Sequence, residues 1–135
     1  MMADNQFLLK IITPDRVFYN HDVTMVEFNT VEGEVGIYKN HVPMTMIIAP
    51  GILTITDEEG PKNAALHSGF VEVLPEQVTI LAEVIEWPDE VDLGRAEEAR
   101  KRAEARLKEP SGTYDMDRAE MALRRAIARI EAAKK

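Results

Sequence analysis

The residues of this chain best suited to chemistry are the arginines near its C-terminal end. Asp92, Arg95, Arg102 and Arg106 recur at spacings that put them near one side of a helix, and Arg118, Arg125 and Arg129 do the same further along. If the two stretches lie antiparallel, guanidinium groups from both can converge. Each guanidinium offers a planar fork of donors and never loses its charge, so a converging set fits phosphate. The same residues also fit a solvated, salt-bridged face. Glu97–Lys101, Glu98–Arg102, Glu104–Lys108 and Glu120–Arg124 each stand four residues apart, the spacing of helix-supporting ion pairs. Spacing alone leaves both readings open.

Other chemistries are signalled weakly. His21, His41 and His67 share no short ligand spacing, and no HxH or HxxxH pair occurs. They are expected to be turn or strand histidines hydrogen-bonded to backbone. The competing enzymatic reading is a small metal-dependent barrel that uses His41 or His67. There is no nucleophile elbow, no GxxxxGK[ST] loop and no HExxH helix. No catalytic residue and no metal ligand is therefore assigned.

The arginines need two helices to position them. Asp89 follows Pro88 and can cap a helix over roughly 90–107, with an apolar stripe of Leu93, Ala96, Ala99, Ala103 and Leu107. Pro110-Ser111-Gly112 breaks the chain. A second helix is expected over roughly 115–133, striped by Met116, Ala119, Leu123, Ala126, Ile127 and Ile130. The break is short enough for an antiparallel hairpin. Alanine lets helices approach closely but buries little area, so the hairpin is well formed locally and weakly held globally.

Ahead of Pro88 the chain is made of different material. Residues 1–88 hold ten of the eleven valines and six of the seven prolines, whereas residues 89–135 hold ten of the fifteen alanines. Net charge is −9 before the break and +1 after it. Apolar segments of strand length recur at 7–12, 23–28, 44–48, 52–56, 64–67, 70–74 and 78–84, with a turn expected at 32–36 and turn residues between them. The fold class is α+β: an N-terminal antiparallel β-sandwich or barrel over 1–88, then a C-terminal two-helix hairpin over 89–135.

Bulk properties exclude several functions. An acidic first unit argues against nucleic acid, which needs a basic face. The run Phe7–Ile12, interrupted by Lys10, is too short for a signal sequence or membrane span. A soluble protein without direct membrane insertion is expected. No cysteine is present, so there is neither a disulfide framework nor thiol chemistry.

The whole chain resembles the epsilon subunit of bacterial rotary ATP synthases. Gly33-Glu34-Val35-Gly36-Ile37 with Asn40-His41-Val42-Pro43 is similar to that family's GxxGI…NHxP loop. Ser68-Gly69-Phe70-Val71-Glu72-Val73 followed by Val78-Thr79-Ile80-Leu81-Ala82-Glu83 is similar to its GGFVEV…VTVLAE strands. Val91-Asp92-Leu93-Gly94-Arg95-Ala96 resembles the [IL]DxxRA motif of its nucleotide-binding members.

The resemblance implies a non-catalytic central-stalk subunit at the cytoplasmic face of the bacterial cell membrane. Its sandwich would dock on the gamma subunit and the c-ring. Its hairpin would block ATP hydrolysis when extended into the catalytic alpha/beta assembly. In the folded hairpin the resemblance implies a regulatory ATP, with or without Mg²⁺, held by Glu86, Val91, Asp92, Arg95, Ala96, Arg102, Arg125 and Arg129. The arginines would take the phosphates, and Glu86, Asp92 and the backbone near Val91 and Ala96 the adenine and ribose. Val91 stands where the motif has Ile or Leu, which removes a methylene worth up to about 1 kcal/mol. The alternative keeps the same subunit without ATP, its hairpin arginines serving only protein–protein contacts.

Overall fold

Alternation builds the first strand. In β1 (Phe7–Ile12) Phe7, Leu9 and Ile11 are fully buried and their neighbours half-buried, the pattern of a sheet with one face on a core. The structure, a computed structural model, describes residues 5–109, 112 and 114–134. It continues through β2 (Val17–Val23), β3 (Met25–Thr30), β4 (Gly33–Ile37), β5 (Met44–Ile47), β6 (Gly51–Asp57), β7 (Gly60–Val73) and β8 (Gln77–Glu86). The strand order is β2-β1-β8-β7-β6-β3-β4, with β5 added against β7. The sheet curls on itself, so that the Tyr19 hydroxyl of β2 donates to Asp57 Oδ2 of β6 at 2.8 Å. Phe7, Leu9, Phe28, Ile37, Leu53 and Ile80 lie in the enclosed core.

Pairing is antiparallel except between β1 and β8, which run parallel. These are the first and last strands of the unit. Closing the sandwich lays them side by side, and the rest of the sheet serves as their long connection. Two expected boundaries move. Gly33–Ile37 is strand β4, paired residue for residue with β3, rather than a turn. β2 carries Asn20-His21-Asp22 on an edge strand, where polar residues are tolerated because one side faces water.

Strand β7 is the longest, and its register against β8 shifts around Ser68. Gly69 sits there at φ 137°. Ahead of this bulge, Ala64 and Leu66 belong to the sandwich core. Ala65 is equally buried but lies outside that cluster, and His67 is a buried polar side chain beside it in sequence. The C-terminal helices explain why: α2 (Met116–Lys134) packs on β6 and β7, and α1 (Leu93–Leu107) packs on α2. The hairpin is thus folded down on the sandwich.

Helix α1 starts later than its sequence suggests. Pro88–Glu90 form a single 3-10 turn and Val91 is extended. The cap is Asp92, not Asp89: its Oδ1 accepts the Arg95 backbone N–H at 3.1 Å. Glu90 is held elsewhere, because its carboxylate accepts the Trp87 N–H and an Arg16 guanidinium N–H, both at 2.9 Å. Asp115 caps the first turn of α2 through the Arg118 N–H at 3.2 Å. Helix α2 also buries more than its expected stripe. Ala128 and Ala132 are covered, while Ile127 is 38% exposed. A helix with α1 on one side and the sandwich on another has two apolar faces.

Asp92→Ala is expected to cost about 1 kcal/mol of hairpin stability by leaving the first-turn donor without its partner. Helix-band circular dichroism during thermal unfolding checks this. An unchanged melting curve would show that the cap contributes nothing.

Candidate functional site

Three charged or titratable side chains come together where the hairpin packs on the sandwich. Glu86 is the last residue of β8 and is one-quarter exposed. Its Oε1 accepts the Arg129 Nε–H from α2 at 2.6 Å. The same oxygen lies 3.2 Å from His67 Nε2 on β7. His67 is 1% exposed. Burial pushes its pKa down to about 4, helped by the Arg129 charge and opposed by the Glu86 carboxylate; Arg125 adds a smaller downward push. The ring is therefore neutral near pH 7. With Nε2–H donated to Glu86, Nδ1 is left buried without a hydrogen-bond partner.

The eight residues implied as a nucleotide site fall into three places. Glu86 and Arg129 touch, and Arg125 stands close enough to His67 to act on its charge. Arg125 also borders a cleft of about 580 Å³ with Arg106, Tyr114 and Arg118. Arg102 borders an adjoining one of about 240 Å³ that shares Arg106 and Tyr114. Arg106 lies over the Tyr114 ring, 5.4 Å from its centroid. Val91, Asp92 and Ala96 sit at the start of α1, where Val91 is extended linker, Asp92 is the cap and Ala96 is buried. Arg95 is exposed in the first turn. The clefts that Arg125 and Arg102 border do not include Glu86, Val91, Asp92, Arg95, Ala96 or Arg129.

The linker has a clamp that sequence reasoning missed. Trp87 stacks on Phe18 with ring centroids 4.2 Å apart, and the Arg16 guanidinium also lies over the Phe18 ring, 5.0 Å from its centroid. Arg16 pairs with Glu90 at 2.9 Å, and this contact holds the Glu90 carboxyl below its ordinary range. The partners are 74 residues apart in sequence, so no local pattern announces them. Their arrangement fastens residues 87–90 to the sandwich, and the Val91 N–H follows on with a bond to the Pro88 carbonyl at 3.3 Å.

The histidines resolve differently from one another. His41 Nδ1 lies 3.0 Å from the Val42 carbonyl, the backbone contact expected. His67 meets a carboxylate instead. His21 packs edge-on against Tyr19. Among the described residues no three His, Cys, Asp or Glu side chains group as metal ligands, and no helix is long and apolar enough to cross a membrane. Of the four charge pairs read from spacing, Glu120–Arg124 closes, at 2.9 Å.

Residues 6–88 match the family model described as ATP synthase, Delta/Epsilon chain, beta-sandwich domain. Residues 89–134 match the one described as ATP synthase, Delta/Epsilon chain, long alpha-helix domain. The ATP synthase epsilon chain of Caldanaerobacter subterraneus subsp. tengcongensis is 41% identical over 133 residues, covering 98% of this chain and 96% of that one. The epsilon chain of Herpetosiphon aurantiacus is 44% identical over 126 residues, 93% of each. Among solved structures, a chain of the Euglena gracilis mitochondrial ATP synthase OSCP/F1/c-ring assembly superposes with a TM-score of 0.82 at 26% identity. That match covers 96% of this chain and 82% of the other.

Proposed function

The chain belongs to the ATP synthase delta/epsilon family, and from that premise we propose that its hairpin is an ATP-responsive brake on the motor. The chain is an epsilon subunit of the central stalk and is not itself an enzyme. In the proposed mechanism the sandwich docks on the gamma subunit and the c-ring, at the cytoplasmic face of a bacterial membrane. The hairpin rests on the sandwich in the permissive state. Extended toward the alpha and beta subunits, it inhibits ATP hydrolysis. ATP, with or without Mg²⁺, binds the resting hairpin and holds it down.

The observation that carries this reading is the Glu86–Arg129 contact across the junction of sandwich and hairpin. A ligand shifts a two-state equilibrium only through its differential affinity for the two states. Glu86 lies on a strand, and Arg102, Arg125 and Arg129 lie on two helices. A site that uses all of them exists only with the hairpin down, so any ligand it binds favours that state. ATP entry requires Arg129 to exchange Glu86 for phosphate oxygens, which a guanidinium fork can also take in bidentate fashion. The clamp at Trp87 and Glu90 supports movement that begins at Val91.

The sandwich also has a face suited to docking. Ile47 and Phe70, opposite each other on β5 and β7, are 61% and 45% exposed. Tyr38, Val42 and Met44 lie exposed close by in sequence. An apolar surface of this kind marks an interaction site. We assign it to contact with the rotor.

The second reading, arginines used only for protein contacts, is favoured by the exposure of Arg95, Arg102 and Arg106. Isothermal titration with ATP separates the two. Saturable binding by the full chain, abolished in Arg95→Ala and in Arg125→Ala, is the expected result. No heat at millimolar ATP would leave the arginines to protein–protein contact.

A further inference from the structure

His67 is a buried titratable group that the nucleotide reading does not use. It reaches Glu86, which that reading does use, and through Glu86 it faces Arg129. We propose that His67 is the proton-sensitive seat of the Glu86–Arg129 clamp: docking of α2 holds its imidazole neutral, and release of α2 is coupled to protonation of that ring. His67 acts through Glu86 and is a positioning residue rather than a ligand contact. The inference deepens the brake described above and rests on the hairpin leaving the sandwich.

The geometry supplies the reasons. Ala65 is buried outside the apolar cluster of the sandwich, on a strand that α2 packs against, and His67 is met from α2 by the Arg129 and Arg125 charges. Removing α2 takes both guanidinium groups away from the ring. In the docked state His67 gives its Nε2–H to the oxygen that Arg129 also uses. A second proton would sit on Nδ1, which is buried and has no acceptor. The groups facing the ring are few. β8 supplies Glu86, and α2 supplies Arg125 and Arg129. The 3-10 turn offers Asp89 and Glu90, but Glu90 is turned to Arg16 and Asp89 is exposed. The nearest carboxylate of β6, Asp57, is committed to Lys62 and Tyr19. β5 carries no ionisable side chain. One carboxylate faces two guanidinium groups, so a further positive charge is unwelcome.

The sign follows from linkage. The docked ring has its pKa lowered to about 4, whereas a free imidazole titrates near 6.5. The docked state therefore has its full stability above about pH 6.5 and loses it as pH falls toward 4. Between pH 7.5 and pH 5 the ratio of released to docked hairpin rises roughly 20-fold. Acidification thus opposes ATP, which favours the docked state.

Hydrogen exchange of α2 amides in the full chain, corrected for the intrinsic pH dependence, reads this ratio even when the released state is rare. The expected result is a fall in protection of roughly 20-fold from pH 7.5 to pH 5, reduced to about twofold or less in His67→Gln. The same fall in His67→Gln, or no fall in the natural chain, overturns the proposal. A second measurement needs no variant. The His67 ring, followed by nuclear magnetic resonance in the full chain, should remain neutral well below pH 6. Protonation at 6.5 or above would refute the coupling. ATP calorimetry at pH 7.5, where the ring is neutral whether or not α2 is docked, tests the nucleotide reading separately. Absence of ATP binding there leaves the exchange result standing, while ATP binding with flat exchange overturns only the proton coupling.

Discussion

Replacing Gly69 with alanine is expected to destabilise the sandwich by about 4 kcal/mol, the sum of two effects of about 1–3 kcal/mol each. The backbone at Gly69 has φ 137°, a conformation that a side chain rarely permits. A Cβ would also fall 2.0 Å from the Leu81 carbonyl oxygen and 2.9 Å from Ala82 Cα. Both are backbone atoms of the neighbouring strand, so neither can swing away. Gly33 and Gly60 also have positive φ, but a Cβ there would meet nothing within 4 Å. Alanine at those two positions should cost only the backbone strain. Urea unfolding of the three variants measures the difference. A Gly69→Ala variant no less stable than Gly33→Ala would show that the β7–β8 bulge relaxes. The bulge also follows directly on His67, the residue proposed to couple hairpin docking to protons.

The architecture was written plainly in the composition. Valine-rich segments divided by turn residues, then alanine-rich helices, announced a sandwich followed by a hairpin. The change falls at Pro88, where one family match ends and the other begins. What was not legible depended on long-range geometry. β4 contains two glycines in five residues, which reads as a turn until its pairing with β3 is known. Asp89 and Asp92 are equally good caps by type, and the choice is made by Glu90, drawn back to Arg16 on a distant turn. Ala128 and Ala132 gave no sign of a second buried face, because alanine is at home on any helix surface.

The candidate site shows the same division. Periodicity put Arg125 and Arg129 near one side of a helix, and the resemblance named Glu86. Only the fold shows that Glu86 already holds Arg129. His67 was the least legible residue. The register of β7 slips between Leu66 and Ser68, so simple alternation cannot say which face His67 takes. A histidine that meets a carboxylate 19 residues away leaves no local trace.

Removing residues 91–135 from the assembled synthase is expected to raise ATP hydrolysis several-fold at low ATP and to change it little at saturating ATP. The cut falls after Glu90 because residues 87–90 belong to the sandwich through Phe18 and Arg16. An earlier cut would disturb the docking domain as well. The dependence on ATP follows from the interface. The buried residues of α2 are Ala119, Ala126, Ala128, Ile130 and Ala132, four alanines and one larger side chain. Such a surface contributes little apolar burial, so docked and released hairpins lie close in free energy. ATP at 100 times its dissociation constant adds about 2.7 kcal/mol to the docked state, a shift of about 100-fold. Under the proposed brake, that shift exceeds what one or two alanine contacts supply, and nucleotide would set the population. Hydrolysis rates of complexes carrying the full or shortened chain, compared across ATP concentrations, provide the check. A ratio of one throughout would remove the brake, because a hairpin that never inhibits has nothing to release. A ratio above one that ignores ATP would keep the brake and remove its ligand.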